Sequence, residues 1–196
     1  MTEMTDLNTS PMKQPFLVRR RTVFTWIGPL LLLAAALYFH TRYGGWPVYV
    51  SGIILVVFGE AVRFWAAGYI AKDAEITTGG PYAHVRNPLY FGSLLLAFGY
   101  SMVSGLGWGG VIAMVGAFLV FHLAAIIYEE QFLTKKFGTA YTDYTQKVPR
   151  LLPSPVPRTS GEGHFAWSQA INNREHISAL FAVLFTGLLS LHLIIK

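Results

Sequence analysis

Five apolar runs divide this 196-residue chain: residues 23–39, 48–70, 89–103, 108–128 and 177–195. At about 1.5 Å rise per residue, roughly 20 apolar residues cross a bilayer as a helix. Four runs reach or approach that length, and the third needs part of the preceding loop. The pattern predicts an all-α, polytopic membrane protein with about five transmembrane helices. The four residues 104–107 leave room only for a tight hairpin between the third and fourth spans. The first run follows Arg19, Arg20 and Arg21 and so has the outline of a signal peptide. It is too long for a signal core, and His40, Thr41, Arg42 and Tyr43 form no small-residue cleavage site, so it reads as an uncleaved span.

Between the spans, residues 77–92 (TTGGPYAHVRNPLYFG) place Tyr82, His84, Arg86, Asn87 and Tyr90 in a chain that otherwise avoids polarity. Gly79, Gly80 and Pro81 predict a turn, and Pro88 keeps Asn87 extended. Irregular backbone at membrane depth must be buried in protein or line a cavity, so its free N–H and C=O groups would suit a polar ligand. A plain re-entry turn is the alternative, with Arg86 snorkelling to phosphates. After the fourth span, residues 131–148 repeat Phe132, Leu133, Phe137, Tyr141 and Tyr144 at helical spacing. They predict an interfacial amphipathic helix ending at Pro149. Residues 1–21 read as a disordered basic N-terminus, 22–153 as the membrane core, 154–176 as a linker with an interfacial helix, and 177–196 as an added C-terminal span.

Composition agrees: 53% hydrophobic residues and 13% charged fall outside the soluble globular range. The net charge of +5 (pI near 9.5) does not call for nucleic acid, because the basic residues flank the apolar runs. Lys13 and Arg19–Arg21, then Arg42 alone, then Lys72 and Arg86, then none, then six from Lys135 to Arg174 alternate in, out, in, out, in. That order puts the N-terminus and both polar segments on the cytoplasmic side and Lys196 opposite. The absence of cysteine excludes disulfides, thiolate catalysis and cysteine-ligated zinc. The six histidines show no metal-ligand spacing, so no metal is expected.

Glu129 and Glu130 stand where the fourth span leaves the membrane, either as interfacial charges or as walls of a pocket. Glu60 and Arg63, at i and i+3, are expected to pair on one helix face and support that pocket. His122 is expected to be a lipid-shielded, hydrogen-bonded histidine, with a place facing the pocket as the alternative, and His40 and His192 fall near the outer interface. The glycines from Gly105 to Gly110 follow no strand and read as a hairpin turn rather than a nucleotide loop.

GPYAHVRNPLYFG (80–92), followed after two helices by EEQFLTKKFGTAYTDYTQKVPRLLP (129–153), resembles the isoprenylcysteine carboxyl methyltransferase and phospholipid methyltransferase superfamily. The resemblance spans residues 53–153. It implies an S-adenosylmethionine-dependent methyltransferase whose cofactor is held by Ile76, Thr77, Gly80, Tyr82, Asn87, Pro88, Leu89, Tyr90, Glu129 and Glu130. Arg86 and Glu130 are then the residues closest to catalysis, with Arg86 on the cofactor carboxylate or on an anionic substrate group. Asn87 stands where the carboxyl methyltransferase branch usually has histidine, so a histidine base there is excluded. The Asn-Pro form is closer to the phospholipid N-methyltransferase branch. Glu130, His84 or water remain as bases for an amine acceptor. The implied acceptor is lipophilic and enters from the bilayer: an isoprenylcysteine-type carboxylate, a phospholipid amine or another small lipid. The C-terminal span then walls the site or forms a homodimer contact. A non-enzymatic transporter or lipid-binding scaffold is the rival, and it would spread polar groups through the spans instead of gathering them at one end.

Overall fold

The computed structural model describes residues 16–39, 41–70, 76–161 and 163–194. Seven α-helices are formed by the described residues: α1 (Phe16–Phe39), α2 (Gly45–Tyr69), α3 (Pro88–Val103), α4 (Gly107–Phe137), α5 (Thr139–Lys147), α6 (Trp167–Asn172) and α7 (Glu175–Ser190). The protein is a polytopic all-α membrane protein. Among the described residues three helical segments, Gly45–Tyr69, Gly107–Phe137 and Glu175–Leu193, are long and apolar enough to cross a membrane, and Ile27–Phe39 and Pro88–Val103 are shorter apolar helices. α1 already begins at Phe16, inside the stretch expected to be a disordered N-terminus. His40 lies outside the described residues.

The bundle is built on the antiparallel pair α2 and α3. A Cβ on Gly59 would stand 2.8 Å from the Gly92 carbonyl oxygen, and one on Gly52 would stand 2.8 Å from that of Gly99. The reciprocal distances, Gly92 to Gly59 and Gly99 to Gly52, are both 2.7 Å. Backbone therefore meets backbone at two levels, an approach that only glycine permits and that membrane helices use where no hydrophobic effect drives them together. Such packing pins the start of α3, and with it Asn87 and Pro88, against α2.

α7 is part of the core. Its Ala182, Phe185 and Leu189 are buried with Leu32 and Ala36 of α1, Val56 of α2, and Tyr100 and Val103 of α3. The Phe185 ring meets the Tyr100 ring edge-on at 4.9 Å. On its other face Ile177, Leu180, Val183, Leu184 and Leu188 are exposed, like Ile54, Val57 and Phe58 of α2. Apolar surface on this scale is a bilayer-facing exterior. Beside the Ser104–Gly107 turn, His192 is fully buried, with Nδ1 donating to the Leu189 carbonyl. It is enclosed by protein, unlike the interfacial residue expected there.

α4 is one 31-residue helix whose last two turns project beyond the fourth apolar run. The expected amphipathic helix over 131–148 is broken at Gly138, with φ +60, and resumes as the short α5. Glycine takes that left-handed turn without a Cβ penalty. The turn aims Tyr141 and Tyr144 inward, where they are buried with Val148 against Ile76, Leu133 and Phe137.

Candidate active site at one end of the bundle

The residues of the polar stretch are shaped by a short 3-10 turn, Gly80–Ala83, entered at Gly80 with φ +55. The Tyr69 ring packs over that glycine so closely that a Cβ would lie 2.6 Å from it. The chain then straightens to Pro88, the first residue of α3. Asn87 has φ −125 and ψ 62, away from the helical region as proline demands. Its side chain does not cap α3 and is drawn elsewhere.

Residues 149–159 lie along this stretch and satisfy much of its backbone. The Arg86 N–H donates to the Pro149 carbonyl at 2.8 Å, Ser154 N–H to His84 at 2.9 Å, and Arg158 N–H to Ala83 at 2.8 Å. The Thr159 hydroxyl reaches the Thr78 carbonyl at 2.7 Å, and the Tyr144 hydroxyl reaches that of Tyr82 at 2.8 Å. His84 Nδ1 donates to the Ser154 carbonyl at 2.9 Å. Backbone groups expected to be open to a ligand are thus largely taken by the chain itself. What points into the site is side chain.

Glu130 is the hub. It is buried at 7% exposure, on the last turns of α4. Oε1 accepts from Asn87 Nδ2 at 3.1 Å and meets Arg86 Nη1 at 3.3 Å. Oε2 accepts from Arg150 Nε at 3.0 Å and Nη2 at 2.9 Å. Asn87 Nδ2 also donates to the Arg150 carbonyl at 3.0 Å. One carboxylate therefore joins the polar stretch, α4 and the segment after α5. Two guanidinium groups against one carboxylate leave a net positive charge, and Lys135 adds to it. These three cations, with Glu130, Gln131, Thr134, Tyr141 and Thr145, line a cavity of about 460 Å³.

Glu129 diverges from Glu130 as neighbours on a helix must, and accepts from the Tyr90 hydroxyl at 2.8 Å. Tyr90 in turn meets the His122 ring edge-on at 5.8 Å. His122 stacks on Phe118, with Nδ1 donating to the Phe118 carbonyl at 3.0 Å. Buried Tyr82 carries a hydroxyl without a partner. Burial, then the charges of Glu175 and Glu129, push it well above the usual tyrosine range. Burial and Glu130 raise Tyr141 to about 12. The Arg86 Nε is also buried without a partner. Of the two residues with orphaned atoms, Arg86 lines the charged cavity, and an orphaned polar atom there is where a polar ligand gains most.

Of the expected site residues, Arg86 and Asn87 gather on Glu130, while Tyr90 bonds separately to Glu129, with Pro88 at the elbow that opens α3. Ile76 packs on the α5 tyrosines, and Thr77 is half-buried beside it. Gly80 faces Tyr69. The Leu89 carbonyl faces α2, receiving Arg63 Nη1 at 3.5 Å. Arg150 joins the group, though sequence reasoning passed over it. Its place inside the second motif, just after Pro149, was the available signal.

The expected Glu60–Arg63 pair does not form. Arg63 Nη2 instead pairs with Glu175 of α7, at 2.9 and 3.1 Å from its two oxygens, and Nη1 donates to Ser93 at 2.6 Å. Glu60 Oε1 accepts from Ser178 of α7 at 3.0 Å. Both partners lie on a helix that local spacing within α2 cannot reveal. Among the described residues no cluster of metal-ligating side chains occurs.

The phospholipid methyltransferase family matches residues 44–140. The cobalt-zinc-cadmium resistance protein CzcN of Cupriavidus metallidurans is 31% identical over 76% of this chain and 75% of its own. A probable protein-S-isoprenylcysteine O-methyltransferase of Oryza sativa subsp. indica is 32% identical over 62% of this chain and 69% of its own. The protein-S-isoprenylcysteine O-methyltransferase of Schizosaccharomyces pombe is 30% identical over 54% of this chain, and the match spans only 44% of that enzyme. No solved structure matches the chain. The paired motifs meet at Glu130 in an all-helical membrane bundle, and sequence relatives and family model agree: the chain belongs to the isoprenylcysteine carboxyl methyltransferase and phospholipid methyltransferase superfamily, and is a membrane methyltransferase.

Proposed function

We propose that the protein transfers the methyl group of S-adenosylmethionine to a lipophilic acceptor that arrives from the bilayer. The observation that carries this reading is the meeting of Arg86, Asn87 and Arg150 on the buried carboxylate of Glu130, beside a cavity of about 460 Å³. The residues present fit the cofactor. Its carboxylate suits the positive surplus of Arg86, Arg150 and Lys135, and its cationic groups suit Glu129 and the faces of Tyr90 and Tyr82. When bound, the cofactor supplies an electrophilic methyl on a sulfonium.

The chain's own residues bind, orient and exclude water. Glu130 holds the two arginines in place, and Arg86 offers its unpartnered Nε to the ligand. Asn87 fixes the α3 elbow to α4, and Tyr82 offers a hydroxyl that stays protonated at neutral pH. Tyr141 and Tyr144, over Ile76, close one side against solvent. Ile76, Thr77, Gly80, Pro88 and Leu89 shape the remainder of the cradle. Asn87 does not titrate, and His84 has committed its Nδ1 proton to Ser154. Alignment of the reactants contributes most of the rate.

In this reading the site and the N-terminus lie on the cytoplasmic side, which the distribution of basic residues supports, and the chain ends on the opposite side. The exposed apolar face of α7 meets lipid or a second copy of the chain. The test is incubation of membrane extracts with the purified protein and methyl-labelled cofactor, followed by identification of the labelled product. A labelled lipophilic product supports the reading. Label confined to water-soluble products, or none from folded protein, contradicts it.

A further inference from the structure

A second cavity, of about 420 Å³, lies within the bundle itself, walled by α1, α2, α3, α4 and α7. Most of its lining is apolar: Leu96, Ala97, Met114, Phe118, Phe121 and Phe181 among others. Its mouth lies along α1, where Ile27 and Leu31 line the cavity and are also exposed on the bilayer-facing surface. His122 lines it as well, and the His122–Tyr90–Glu129 contacts make a shared wall with the candidate active site.

One wall is polar, and its hydrogen bonding is incomplete. Glu60, Arg63, Ser93 and Ser178 all line the cavity. Ser93 donates to the Leu89 carbonyl, Ser178 to Glu60 Oε1, and the Arg63 Nη atoms to Ser93, Leu89 and Glu175. Two buried atoms remain without a partner: the acceptor Glu60 Oε2 and the donor Arg63 Nε. Glu60 lies nine residues before the end of α2, about 14 Å along the helix, deep among the spans. Buried polar atoms at such depth cost free energy until something satisfies them. A single water molecule would leave the apolar remainder unfilled, since its share of volume is about 30 Å³.

We infer that this cavity binds an uncharged apolar molecule ending in a hydroxyl, which enters the incompletely satisfied hydrogen bonding of the Glu60–Arg63 wall as both donor and acceptor and leaves its hydrocarbon body against the aromatic wall. A hydroxyl both donates and accepts. A carboxylate would face Glu60 without a proton to give, and an ammonium would face Arg63 without a lone pair. The polar wall owes its form to α7, through Glu175 and Ser178, which lie outside the residues matched by the family model. The selectivity thus depends on α7 as well as on α2. That such a molecule is the methyl acceptor rests on the reading given under Proposed function; that it binds does not.

The test uses the purified full chain in nanodiscs, without any methyl donor, and three ten-carbon diazirine photoprobes ending in a hydroxyl, a carboxylate or an amine. Cross-linked peptides are mapped by mass spectrometry. The alcohol should label α1, α4 or α7 lining residues at least about fivefold more than either charged probe, a preference of the size one hydrogen bond supplies. Excess 1-decanol should suppress that labelling. Glu60→Gln, which keeps an acceptor, should retain the preference, and Glu60→Leu should lose it. Ala117→Phe, at an exposed position on the cavity lining, should block all labelling. Equal labelling by the three probes, preference for a charged one, or no labelling of these helices would overturn the inference. Labelling as expected from protein that fails to bind S-adenosylmethionine would refute the methyltransferase mechanism and leave the site standing.

Discussion

Asn87 Nδ2 lies 3.1 Å from Glu130 Oε1, and that hydrogen bond ties the residue before α3 to the last turns of α4. A residue that a following proline bars from helix becomes the clasp between two motifs separated by a transmembrane hairpin. The clasp also fixes Arg86 next to it and Arg150 beyond it, so a single carboxylate organises three segments of chain. Changes at this carboxylate should therefore be felt in ligand binding and in stability together.

Glu130→Gln leaves Arg86 and Arg150 without their shared counter-charge. Affinity for S-adenosylmethionine should fall at least about tenfold, and unfolding free energy by about 2 kcal/mol, chiefly because the largely buried Arg86 loses its partner, with the half-exposed Arg150 adding less. Calorimetric titration and thermal unfolding in detergent measure the two effects. Arg86→Ala should weaken binding or turnover to a similar degree with the fold intact.

Gly59→Val brings a branched side chain to a position where even a Cβ would stand 2.8 Å from the Gly92 carbonyl oxygen. α2 and α3 must separate, at a cost of about 3 kcal/mol or more from lost helix packing. A thermal midpoint unchanged from wild type would mean that the two helices do not rely on this contact.

The Arg63–Glu175 pair should behave as a buried ion pair. Glu175→Gln or Arg63→Met alone should each destabilise by about 3 kcal/mol, and Arg63→Met with Glu175→Leu should recover most of that loss. A double variant as unstable as the sum of the singles would show that the pair holds α7 by more than charge.

Tyr141 provides a test by pH. Its folded-state pKa of about 12 stands above the ordinary 10.0, so the folded protein holds the phenolic proton more tightly than the unfolded chain does. The contribution to stability is complete below pH 10 and is lost as pH rises from 10 through 12. Tyr141→Phe should flatten that part of the stability–pH curve, measured by thermal unfolding at graded pH.

Much of this arrangement was legible in the sequence. Apolar runs marked the membrane helices, charge alternation put the polar stretch and the acidic pair at one membrane face, and the family resemblance joined Arg86, Asn87, Glu129 and Glu130 into one site. What escaped were contacts that depend on tertiary approach. Gly52, Gly59, Gly92 and Gly99 recur at seven-residue spacing within each helix, but their meaning appears only when α2 and α3 lie antiparallel. Arg63 pairs with Glu175 of α7 rather than its helical neighbour Glu60, because helix packing brings a better-placed carboxylate. Gly138 carried a signal for the break between α4 and α5, which the periodicity of the aromatic residues overrode.

The central claim is that Glu130 and its two arginines form part of a methyl-donor site. The most direct measurement is calorimetric titration of the folded, detergent-purified protein with S-adenosylmethionine, run in parallel on Glu130→Gln. Saturable binding by the wild type that weakens at least about tenfold in the variant is the predicted result. Absence of binding to folded wild-type protein, or equal affinity in the two, would contradict it.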